Sequence, residues 1–91
     1  MVSLKSRSNK SFKATVELDG ESHEFEYPVL SLDERASLSR LSEDKRLKFI
    51  VSKYARVVDP DLSDEEIDYL DDEVVAAIMK PVNDRYSDVE Q

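Results

Sequence analysis

Apolar and polar residues alternate on both sides of the dipeptide Asp19-Gly20. Upstream, Phe12, Ala14, Val16 and Leu18 are separated by Lys13, Thr15 and Glu17, and downstream Phe25 and Tyr27 are separated by Glu24 and Glu26. A period of two is the signature of a strand with one covered face. Asp-Gly between two such runs is the signature of a two-residue type I′ turn, in which both central residues take positive φ. Gly20 is the only glycine among 91 residues, so its placement carries weight. With the turn at 19–20, Leu18 faces Glu21, Val16 faces His23, Ala14 faces Phe25 and Phe12 faces Tyr27. That face is almost wholly apolar. The intervening pairs, Glu17 with Ser22, Thr15 with Glu24 and Lys13 with Glu26, form a polar face with one opposite-charge pair. Turn chemistry and alternation therefore specify one register, pairing 12–18 with 21–27.

Beyond Pro28 the period changes to that of a helix. Ser31 followed by Glu34 is a capping box ahead of "LDERASLSRL", and Ser42 caps "EDKRLKFIVSKYARVV". In this second helix Leu47, Ile50, Val51, Tyr54 and Val58 form one apolar stripe. Phe49 lies off the stripe, free to meet the hairpin, the first helix or a partner. Ser63 and Glu66 make another capping box before the short "DEEIDYL" segment. Asp71 then caps a last helix, "DEVVAAIMKPVNDRYSDVE", whose residues Val75, Ile78, Met79, Val82, Tyr86 and Val89 keep helical spacing through Pro81. A proline there removes a backbone donor and predicts a kink or a restart.

These elements predict an α+β fold: an N-terminal antiparallel β-hairpin packed on three to four α-helices. Residues 1–11, "MVSLKSRSNKS", show no period and read as a flexible basic arm, leaving 12–91 as a single small domain. There is no cysteine, which excludes disulfide staples and thiolate metal sites. No apolar run is long enough to span a bilayer and the N-terminus lacks the apolar core of a secretory signal, so a cytoplasmic protein without membrane contact is expected.

Charge divides the chain further. Of the net −8, residues 1–13 contribute only bases (Lys5, Arg7, Lys10 and Lys13), residues 40–56 sum to +4 and residues 57–91 to −10. The overall sign disfavours direct nucleic-acid binding, and base-reading or aromatic-interleaved basic motifs are missing. Nine carboxylates lie between Asp59 and Glu73, but an EF-hand loop does not fit, since a start at Asp61 puts Glu66 at the obligatory glycine. Beginning at Asp59 puts Asp64 at the obligatory glycine and Leu70 at the bidentate glutamate. No metal site is expected. His23, the single histidine, falls beside Val16 on the apolar face and is expected to be partly buried. One histidine, no cysteine, no phosphate-cradling glycine loop and no nucleophile motif leave no catalytic set to assemble, so neither an enzyme nor a cofactor is expected.

The succession "SFKATVELDGESHEFEYPVLSLDERASLSRL", a basic amphipathic helix, and "VVDPDLSDEEIDYLDDEVVAAIMKPVND" resembles the tail assembly chaperones of long-tailed bacteriophages over roughly residues 12–86. The resemblance implies a non-enzymatic protein that binds the aggregation-prone tape measure protein, and tail tube subunits, while the tail is built. Apolar helix surface beyond the needs of one small core fits that role, and fits a homo-oligomer equally. The stripe of the last helix, Val75, Ile78, Met79, Val82 and Tyr86, is the expected partner contact. The other reading is an acidic inhibitor or nucleic-acid mimic that occupies a nucleic-acid-handling protein.

Overall fold

The computed structural model describes residue 4 and residues 8–86. A two-stranded antiparallel sheet, β1 (Ser11–Leu18) and β2 (Glu21–Pro28), is followed by α1 (Leu32–Leu38), α2 (Glu43–Val58), α3 (Asp64–Asp68) and α4 (Asp72–Tyr86). This is an α+β fold with the hairpin at its N-terminal end. The strand register runs from Leu18 opposite Glu21 to Phe12 opposite Tyr27, as alternation and turn predict, and extends one residue further to Ser11 opposite Pro28. Asp19 and Gly20 take φ of 53° and 79°, the left-handed pair that a type I′ turn demands. β1 thus begins one residue before the expected boundary, and the Lys10 carbonyl accepts a hydrogen bond from the Val29 N–H at 2.9 Å. The rest of the predicted arm, apart from residues 4 and 8–10, lies outside the described residues, as does Val89.

Both capping boxes form. The Ser31 hydroxyl accepts from the Glu34 N–H while Glu34 accepts from the Ser31 N–H, each at 3.0 Å. Ser63 and Glu66 do the same at 3.1 and 2.9 Å. These reciprocal bonds satisfy N-terminal donors that helices as short as α1 and α3 could not otherwise protect. α4 starts at Asp72, and the Asp71 carbonyl accepts from the Val75 N–H. It then runs through Pro81 as a single helix to Tyr86, so of the kink or restart expected at the proline, the restart does not occur.

The core lies between the apolar face of the hairpin and the inward stripes of α2 and α4. Ala14, Val16, Tyr27, Val51, Tyr54, Ala55, Ile67, Ile78 and Val82 are buried in one cluster. At its centre Tyr27 and Tyr54 are fully buried with ring centroids 4.7 Å apart. A buried phenol must place its hydroxyl. Tyr27 donates to the Ile78 carbonyl in α4 at 2.9 Å, and Tyr54 donates to the Pro28 carbonyl at the end of β2 at 2.7 Å. The Leu30 N–H in turn donates to the Tyr86 hydroxyl at 3.1 Å. Burial pushes the Tyr27 hydroxyl up to about 12 and raises that of Tyr54 further.

His23 is a correction. It stands opposite Val16 in the register, yet its side chain is 44% exposed, beside Phe25 and 3.8 Å from the Glu21 carboxylate. α4 runs beneath β1, whereas α2 meets β2 at its Tyr27 end, so the turn end of β2 projects past the helices.

Replacing Gly20 by valine forces a β-branched residue to positive φ. No atom lies within 4 Å of the position a Cβ would take, so the cost is purely conformational, about 1–3 kcal/mol. Denaturant unfolding measures it, and Gly20→Asn, which tolerates the left-handed region, should recover most of the loss.

Candidate functional site

The stripe expected to face a partner faces the core instead. Ile78 and Val82 are 2% and 4% exposed, and Val75, Met79 and Tyr86 are half-buried against the same cluster. Their helical spacing is real, but the hairpin and α2 cover it. Tyr86 contributes through its hydroxyl bond to Leu30, and Arg85 beside it places its guanidinium 4.6 Å from the centre of the Phe12 ring. In this folded form the five residues close the core.

Large apolar side chains are exposed around α2 and the helices beside it. Leu32 at the start of α1 is 76% exposed, Leu47 and Phe49 in α2 are 55% and 40% exposed, and Tyr69 just after α3 is 81% exposed. Leu47 belongs to the α2 stripe by spacing. It is uncovered because the core beneath α2 begins only at Ile50 and Val51. Phe49 lies on another side of the helix, where it lines a small recess with Leu38 and Leu41, rimmed by Asp33 and Glu34.

Ion pairs connect α2 to the helices on either side of it. Lys53 Nζ lies 2.7 Å from Glu34 Oε2 of α1, Lys48 Nζ lies 3.2 Å from Asp68 Oδ1 of α3, and Arg56 pairs with Asp64 at the start of α3. Three of the six basic residues between 40 and 56 thus pair with acids of the flanking helices. Glu34 does two things with one carboxylate, capping α1 through Oε1 and binding Lys53 through Oε2. The Lys53 ammonium, and then the Ser31 N–H, hold its carboxyl below the usual glutamate value. The Ser63 N–H does the same for Glu66.

Beside β1 an open groove of about 880 Å³ separates the strand from α4, with Lys13, Thr15 and Glu17 on one wall and Ala76, Ala77, Lys80 and Pro81 on the other. Among the described residues no group of three or more His, Asp or Glu side chains converges as a metal site, and no helix is long and apolar enough to cross a membrane. Local sequence offered one signal for the exposed residues, the off-stripe position of Phe49. Leu32 and Tyr69 sit at helix ends, where spacing says nothing about cover.

No protein-family profile matches the chain, and no characterised protein or solved structure is significantly similar to it.

Two expectations follow from these contacts. Val82→Asp puts an unpaired carboxylate into the core at a cost of about 4 kcal/mol or more, enough to abolish the cooperative thermal melt followed by circular dichroism. Glu34 carries a depressed folded-state pKa, so its contribution is present above the unfolded glutamate pKa of about 4.3 and is lost as pH falls through the folded value. Melting temperature should therefore fall more steeply below pH of about 4.5 in the parent than in Glu34→Gln, while the two curves run parallel near neutrality.

Proposed function

We propose that this protein is a non-enzymatic assembly chaperone of the long-tailed phage type, working in the host cytoplasm. It holds the tape measure protein, and tail tube subunits, until they enter the growing tail. The observation that carries this reading is the set of uncovered apolar side chains around α2, Leu32, Leu47, Phe49 and Tyr69, on a chain of net charge −8. A partner presenting an amphipathic helix buries its apolar face on such side chains, and the surplus negative charge keeps the complex soluble. The contact residues are therefore reassigned from the α4 stripe to the α2 surroundings. Mimicry of nucleic acid is the second reading; of the acids between Asp59 and Glu73, Asp64, Glu66 and Asp68 are engaged by Arg56, the Ser63 N–H and Lys48.

The test is co-expression with an amphipathic helical fragment of a tape measure protein from a long-tailed phage. With the parent chain the fragment stays in the supernatant and co-purifies; with Leu47→Asp combined with Phe49→Ser it precipitates, although the variant keeps its cooperative melt. A fragment equally insoluble with and without the parent chain overturns the reading.

A further inference from the structure

We propose that the outer edge of β1 is a self-recognition surface, through which two copies pair antiparallel about a two-fold axis at Thr15. The product is one four-stranded sheet in the order β2, β1, the partner's β1, the partner's β2. This inference rests on the strand edge and not on the chaperone reading.

The sheet has only two strands, so each leaves one edge without a strand partner. In a two-residue hairpin the pair flanking the turn, here Leu18 and Glu21, is hydrogen-bonded, and bonded pairs then alternate. Val16, Ala14 and Phe12 therefore bond to β2, while the backbone N–H and C=O groups of Lys13, Thr15 and Glu17 point outward. On β2 the outward set is Ser22, Glu24, Glu26 and Pro28. The two edges differ in kind. β2 carries two glutamates and a proline, which repel a second copy and remove a donor. β1 carries one lysine, one threonine and one glutamate, evenly spaced.

That spacing is self-complementary. With the axis at Thr15, Lys13 faces the partner's Glu17 and Glu17 faces the partner's Lys13, while Thr15 faces its own copy. All three are bonded pairs, as the outward backbone groups require. On the covered face Ala14 meets the partner's Val16, and Phe12 meets the partner's Leu18. Phe12 and Leu18 are the two half-buried apolar residues of β1, and pairing completes their burial. Axes that set Lys13 or Glu17 against its own copy place like charges opposite one another. Among the described residues neither Lys13 nor Glu17 has an ion-pair partner within the chain. An open groove also runs beside β1, lined on the α4 side by the small side chains Ala76, Ala77 and Pro81 together with Lys80, Asp84 and Arg85.

Sedimentation equilibrium of the full chain at about 100 μM, a range in which modest affinities register, reads the outcome. Expected is a mass twice the 10.5 kDa of the chain. Lys13→Glu alone and Glu17→Lys alone each create two like-charge pairs and weaken the dimer about tenfold or more. Mixing the two variants restores it, because the heterodimer contains only opposite-charge pairs, and the doubly exchanged chain dimerises as the parent does. Circular dichroism checks that each variant keeps its fold, as expected for exposed side chains. A monomeric parent overturns the proposal, and so does a parent assembly that the single reversals leave intact or that mixing fails to restore. The first result would also leave the β1 edge to an extended segment of a different protein.

Discussion

Two buried phenols hold this fold in one arrangement. The hairpin and the helices meet across Tyr27 and Tyr54, and apolar contact alone would let one layer slide or rotate on the other, since dispersion and hydrophobic burial are nearly non-directional. The hydroxyls remove that freedom. Tyr27 reaches a single carbonyl in α4 and Tyr54 a single carbonyl at the end of β2, so each ring fixes the rotation and axial position of the element it touches. A phenol left without its acceptor in this core costs about 1–3 kcal/mol, which is large beside the stability of a small domain. The turn matters for the same reason. Were the strands to slip by one residue, Tyr27 would leave the core and both bonds would be lost, so Gly20 governs contacts far from itself.

Pro81 belongs to the same constraint. Its missing N–H leaves the Ala77 carbonyl without the usual helical donor, and the Tyr27 hydroxyl bonds to the adjacent carbonyl, that of Ile78. Hydrogen bonding from outside the helix thus arrives at the turn the proline weakens, and packing of Ile78 and Val82 on either side of it keeps α4 a single helix. Sequence pattern marked the proline as a kink or a restart because it sees only the local loss. Continuity is a tertiary effect.

The same division explains what was legible in advance. Interactions within a few residues were readable: the Asp19-Gly20 turn and its register, both capping boxes, and the stripe of α2. Whatever depended on where one element stops covering another was not. His23 and Leu47 carry the spacing of covered residues and are exposed, because the helix layer ends before the hairpin tip and the hairpin ends before the first turns of α2. The stripe of α4 was legible as a stripe, but periodicity marks an apolar face without saying whether the chain itself or a second molecule covers it. Here the chain does. The exposed residues Leu32 and Tyr69 stand at helix ends and belong to no period, so no pattern could have announced them.

Layer order decides whether the two surfaces compete. α4 lies under β1 and α2 meets β2, so a sheet extended through β1 brings the two copies of α4 together at its middle and carries each α2 to the outside. Leu47 and Phe49, with α1 and α3 tied beside them by Lys53–Glu34 and Lys48–Asp68, are then at the ends of the paired sheet, away from the axis at Thr15. Pairing consumes the edge that would otherwise template further strands, while β2, with Glu24, Glu26 and Pro28, terminates the sheet on both sides. In the proposed pairing, growth stops at two copies. On the proposed chaperone reading, the proposed dimer presents the exposed apolar side chains of both copies to one long helical partner, and binding at the second copy becomes intramolecular once the first is engaged. Individually modest contacts on each copy then suffice for retention on that reading.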